Sequence, residues 1–193
     1  MIYRIHHDEN YLMHLVHPVE SMRKLGEKYG VFAFNAEPKP YASVWTPLQI
    51  EFHASEGKKS KAMPDVSEHF GRLFLSERAC QALKVRLETC GELLPVTHKN
   101  GTGYIFNPLI TAEQLGAIDD KLTSHDQHGN LAHFGFVEAK LKDTAIFKTR
   151  LDTWTGLFCS DMLKQAYENA GLTGITFHPD VSNPIGAPHG TLQ

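Results

Sequence analysis

Gly91-Glu92-Leu93-Leu94-Pro95-Val96 and Gly103-Tyr104-Ile105-Phe106-Asn107 decide the fold of this chain. Two apolar runs flank Asn100-Gly101, a dipeptide suited to the tight turn of an antiparallel hairpin. Leu93 to Val96 and Tyr104 to Leu109 are therefore expected to pair across it. Gly101-Thr102-Gly103 belongs to that turn. It is too short for a phosphate cradle and lacks the following lysine of a P-loop.

Reading outward, the hairpin is preceded by a helix. Ser76 can cap it, Glu77 places an anion in the first turn, and Ala79, Leu83 and Leu87 recur on one face until Gly91 stops it. After the hairpin, Thr111-Ala112-Glu113-Gln114 reads as a capping box opening a shorter helix. Phe134 and Phe136, then Ile146 and Leu151, suggest two strands joined near Lys142-Asp143. Ser160 and Asp161 open a second main helix with the stripe Leu163, Ala166, Tyr167 and Ala170. Gly171 supplies its left-handed cap, and Leu172 can fold back on the last turn. Gly174 to Phe177 is the last strand.

The first 70 residues read as strand and loop. Ile2 to His6 suits an edge strand, and Val31-Phe32-Ala33-Phe34 a short buried one. Val44 to Phe52 is another, interrupted at Pro47. Ser55 to Lys61 reads as a polar surface loop. The sequence shows no internal repeat. The expected fold is α+β, one domain over 1–193, with a mostly antiparallel sheet, two main helices and short additional ones.

Composition bounds the function. The chain has 193 residues, 41% hydrophobic and 21% charged, with a net charge of -3. That is ordinary for a soluble globular protein and gives no basic footprint for nucleic acid. Cys80, Cys90 and Cys159 form no disulfide framework. Cys80 and Cys90 lie ~15 Å apart at opposite ends of one helix, too far to bridge. No secretory signal opens the chain, and no stretch is apolar enough for a membrane helix. A cytoplasmic protein is expected, with no membrane or cofactor involved.

Candidate chemistry is sparse. His125-Asp126-Gln127-His128 offers imidazole and carboxylate ligands for zinc. Gly129 and Asn130 follow at once, however, and mark a turn, and no glutamate stands between the histidines as general base. Cys159 precedes a helix start, where a thiol can become reactive. No histidine stands in that local segment, and a buried structural thiol is the favoured reading. Trp154 suits either the core edge or a partner contact.

From about Pro64 to Phe177 the chain resembles the eleventh catalogued immunity family of bacterial polymorphic toxin systems, formerly a domain of unknown function. Carrying the resemblance are Met63-Pro64-Asp65, Leu75-Ser76-Glu77-Arg78, Glu92 to Val96, and Tyr104-Ile105-Phe106-Asn107. Ile146-Phe147-Lys148 and Gly171 to Phe177 complete it. The family-like core spans about 64–177, leaving an N-terminal strand and loop region, 1–63, and a C-terminal arm, 178–193. The resemblance implies a cytoplasmic protein that binds and neutralises a toxin encoded beside it, with no catalytic residues to carry over. Recognition is then expected on exposed loops, Thr97 to Gly101 and Asp119 to Asn130. Asp119, Asp120, Asp126, His128, Asn130 and Trp154 are the candidate contacts. A small metal-dependent hydrolase using His125, Asp126 and His128 is the alternative.

Overall fold

A computed structural model describes residues 1–59, 62–128 and 131–184. In chain order, β1 (Ile2–His7) and β2 (Met13–Leu15) precede α1 (Pro18–Tyr29). Two 3-10 turns, Gly30–Ala33 and Ala42–Val44, lead to β3 (Leu48–Gln49) and β4 (Glu51–His53). Then come β5 (Val66–His69), β6 (Arg72–Leu75), α2 (Glu77–Leu87), β7 (Gly91–His98) and β8 (Gly101–Pro108). The small hairpin β9 (Ser124–His125) and β10 (Leu131–His133) is followed by β11 (Ile146–Phe147), β12 (Leu157–Ser160), α3 (Asp161–Asn169) and β13 (Ile175–His178). The fold is α+β, and among the named strands only β3 and β7 pair in parallel.

The expected hairpin forms as β7 and β8, in register from Gly91 opposite Pro108 to His98 opposite Gly101. It lies inside the sheet β3-β7-β8-β6-β5. Side chains alternate across that sheet, as a pleat requires. Leu73, Leu75 and Phe106 face α2, α3 and the second sheet. Phe74, Leu94, Val96 and Ile105 face a separate core with Phe32, Tyr41, Leu48 and Ile50. The N-terminal region therefore covers one whole face of the sheet.

That region also departs most from the sequence reading. Residues 18–29 form a third α-helix. His17 Nδ1 accepts from the Val19 N–H, Pro18 sits in the first turn, and Glu20 and Lys28 complement the helix dipole. Gly26, at φ +71°, breaks its regular winding, so no long apolar period is legible. The 3-10 turn Gly30–Ala33, with Phe32 fully buried, stands where a strand was expected at Val31 to Phe34. Val44 to Phe52 splits into a 3-10 turn and two short strands.

The second sheet, β11-β12-β1-β13, repeats the plan of the first. β6 ends in Leu73-Phe74-Leu75-Ser76 and leads into α2; β12 carries Leu157-Phe158-Cys159-Ser160 and leads into α3. β6 and β7 flank β8 antiparallel, and β12 and β13 flank β1 in the same way. Leu75 lies opposite Tyr104, and Cys159 opposite Tyr3. In one unit the central strand follows the helix, whereas in the other it comes from the start of the chain. That permutation hides the repeat in the sequence.

Both helix starts have Ser at the cap position, but the caps differ. Ser76 accepts from the Ala79 N–H at 3.1 Å, whereas the Ser160 side chain makes no capping bond. The capping box at Thr111 and Gln114 is made reciprocally, at 3.1 and 3.2 Å, yet a series of turns follows and no helix. Leu151 lies in a 3-10 turn, Arg150–Asp152, where a strand was expected. Residues 178–184 of the C-terminal arm pack on the surface: Val181 carbonyl accepts from Arg4, and Ser182 Oγ meets His133 Nδ1 at 2.9 Å. The rest of the arm lies outside the described residues.

Candidate partner-binding surface

The motif residues behind the resemblance converge on two polar knots. In the first, buried Asn107 accepts from Arg72 Nε at 3.3 Å and donates to the Lys39 carbonyl and to Glu92 Oε2. Glu92 also accepts the N–H groups of Tyr41 and Ala42. Arg72 donates to the carbonyls of Phe32 and Asn35 and lies 4.0 Å over the Phe32 ring. Lys148, fully buried, donates to the Ala36 carbonyl at 2.6 Å. These four side chains thus satisfy backbone groups along residues 32–42, which have few partners in regular structure. The second knot is Asp65, which accepts from Ser76 Oγ, Arg78 Nη1 and both the N–H and hydroxyl of Thr173. It locks β5 to α2 and to the turn before β13.

Beneath the β5–β6 turn lies a cluster of buried and half-buried charges. Arg4 Nη2 stands 3.4 Å from Asp152 Oδ2, with Glu68 and Lys148 close by. Burial raises the Glu68 carboxyl to about 7 and the Asp152 carboxyl above its usual range, and it lowers the Lys148 amine well below its own. Gly71 closes this corner, because a Cβ there would collide with the Trp154 carbonyl. Phe70, Thr153 and Trp154 all adopt positive φ beside it. Such strain in bulky residues persists only where surrounding packing imposes it.

The thiols are structural. Cys80, Cys90 and Cys159 are buried and free, and burial pushes the Cys159 thiol far up. Ser67 and His14 make a 3.1 Å contact that superficially suggests a catalytic pair, but both are buried. Ser67 Oγ also accepts the His14 backbone N–H, so the pair ties β2 to β5.

An open surface lies at the tip of the β7–β8 hairpin. A cavity of about 440 Å³ is lined by Leu12, Gln49 to His53, Met63 and His98 to Asn100. A second, of about 410 Å³, shares Met63, His98 and Asn100 and continues over Pro64, Phe74 and Glu77. Together they form one groove around the tip. Phe52, Phe74 and His98 pack edge to face beneath it, with centroids 4.9 to 5.7 Å apart. Exposed Glu51, Glu77, Lys99 and Asn100 form the rim. An apolar floor with a polar rim is the anatomy of a protein interface.

The structure scatters the residues singled out in the sequence. Asp119 is half-buried, and its Oδ1 accepts the N–H groups of Lys121 and Leu122, so it holds a turn. Asp120 is exposed and lines a 380 Å³ pocket with Glu113 and Arg150. Asp126 and His128 are exposed in the turn after β9, where Asp126 Oδ1 accepts the His128 N–H. Among the described residues no group of three metal-ligating side chains is brought together. Asn130 lies outside the described residues. Trp154 is half-buried beside the β5–β6 turn. Of the two loops expected to carry recognition, the hairpin tip borders the groove. The groove's other wall, Glu51 to His53 and Met63, was missed, because only tertiary structure brings it there.

Among the described residues no helix is long and apolar enough to cross a membrane. No protein-family model matches the chain, and no curated protein matches it.

Proposed function

We propose that this chain is an immunity protein that binds a cognate antibacterial toxin in the cytoplasm and neutralises it by covering its active site, without catalysis of its own. The reading rests first on the order and spacing of the motif residues. The observation that carries it structurally is their fate. Asp65, Glu92, Asn107 and Lys148 are spent on holding the scaffold, while an apolar-floored groove stands open at the hairpin tip. A scaffold fixed by buried polar knots and a binding surface built from loops suits a protein whose product is its own surface.

The test is co-expression with the toxin domain encoded by the adjacent gene. Restored growth and a stable complex of the two purified chains are expected. A neighbouring product that is harmless alone, or one that still kills when this chain is present, would overturn the reading.

A further inference from the structure

We infer that the gap between β4 and the tip of the β7–β8 hairpin receives an extended segment of the partner, which adds as a strand to the free edge of β4. The inference deepens the toxin-binding reading and rests on it for the partner's identity.

The gap arises where two strands part. β3 and β7 are in parallel register, Leu48 opposite Val96 and Gln49 opposite Thr97. The Ile50 N–H then donates to the Thr97 carbonyl at 2.8 Å. Beyond that bond β4 turns away to pair with β2, while β7 ends at His98. The 440 Å³ cavity occupies the split.

Among the described residues, one edge of β4 is left without a strand. In the β2–β4 ladder His14 lies opposite Phe52. The His14 N–H donates to Ser67 Oγ at 3.0 Å, on the side away from β4. His14 and Phe52 are therefore a non-hydrogen-bonded pair, in which each residue's N–H and C=O point outward. The Phe52 groups accordingly turn toward the hairpin tip, where among the described residues no backbone bond is made to them. A strand edge beside an apolar trough is a template for an added strand.

The chemistry of the occupant follows. Main-chain groups of an extended segment would bond the Phe52 N–H and C=O. Alternate side chains would drop onto Leu12, Ile50 and Met63, because successive residues of a strand point to opposite faces. The groove continues past Asn100 toward Pro64 and Phe74, so it takes a segment rather than a single side chain. On the rim of the two cavities exposed Glu51 and Glu77 outnumber Lys99, which favours basic residues flanking the apolar ones.

The probe is a phage-displayed library of random linear dodecapeptides, selected on the full chain. Enriched peptides should share apolar residues at alternate positions with basic flanks. They should slow hydrogen exchange of the Phe52 amide in the wild-type chain and lose about tenfold or more in affinity on Met63→Arg. Enrichment of no peptide, peptides insensitive to Met63→Arg, or an unchanged Phe52 amide would each overturn the inference. The amide measurement needs no variant, so it decides even if Met63→Arg folds poorly. Toxin experiments separate the two readings. Peptide capture at Phe52 without growth rescue sinks the immunity reading and leaves the groove standing. Growth rescue and toxin affinity untouched by Met63→Arg place the toxin elsewhere and sink this inference alone.

Discussion

Replacing Glu68 by Gln should stabilise the protein at neutral pH and leave it little changed in acid. Glu68 sits half-buried in the cluster with Arg4, Lys148 and Asp152, and desolvation there raises its carboxyl from 4.5 to about 7. The unfolded chain therefore releases this proton first as pH rises. From 4.5 upward the folded state holds more protons, so stability falls with pH and the full penalty is reached above about 7. At about 1.4 kcal/mol per pH unit, the gap amounts to about 3 kcal/mol. Gln keeps the acceptor for the Gly71 N–H, which Glu68 Oε1 now binds at 3.2 Å, and removes the charge. Urea unfolding of both proteins at pH 8 and pH 5 measures the effect. The stability difference, variant minus wild type, should be larger at pH 8 than at pH 5 by about 2 kcal/mol. Buried His14 and half-buried His6, His7 and His69 act in the opposite direction. His6 is lowered by burial to about 4, and His7, His14 and His69 are lowered too. Their stabilisation is present above 6.5 and lost as pH falls, so the variant, without the Glu68 compensation, should be the more acid-sensitive of the two. A pH-independent difference, or one larger at pH 5, would show that the Arg4 and Lys148 charges keep Glu68 ionised and that the reasoning fails.

Four further outcomes are expected. Asn107→Leu deprives Arg72, Glu92 and the Lys39 carbonyl of a partner at once, and should lower stability by about 3 kcal/mol or more. In a thermal melt that corresponds to a fall of about 10 °C, and a fall of only a degree or two would show that the knot adds little. Phe70→Asn places a residue tolerant of positive φ in the two-residue β5–β6 turn and should raise stability by about 1 kcal/mol; a melting point below that of wild type would refute this. Asp119→Lys removes a turn-holding carboxylate and should cost about 1 kcal/mol. Exposed Asp120→Lys should leave unfolding unchanged and slow toxin association at low salt; identical association kinetics for Asp120→Lys and wild type would remove this loop from the interface.

Local signals were legible wherever one residue type satisfies a local need. Asn100-Gly101 marked the hairpin, although the turn itself is Lys99-Asn100 and Gly101-Thr102-Gly103 opens β8; Ser76 marked the α2 cap and Gly171 the left-handed end of α3, where its φ is +59°. The same logic failed where a distant group intervened. Phe32 reads as strand from its neighbours, but Arg72 takes its carbonyl and the segment coils into a 3-10 turn. The Thr111 capping box is real, yet the Ala112 N–H bonds the Lys148 carbonyl and the chain continues as turns. Among the candidate contacts, Asp119, Asp120 and Asp126 stand out by charge in a polar loop and Trp154 as an interface-prone aromatic. Those properties find surface residues and say nothing of which ones share a surface.

By itself the sequence determined an α+β chain with capped helices and a central hairpin, because period, caps and turn residues act over a few positions. Tertiary structure alone decided the rest. It brought β1 from the start of the chain between β12 and β13, and so built the second copy of the strand–helix–strand plan. It gathered Arg72, Glu92, Asn107 and Lys148 around residues 32–42, and it opened the groove between β4 and the hairpin tip. Each depends on buried polar groups finding partners across many tens of residues, a requirement imposed by desolvation and invisible to any local pattern.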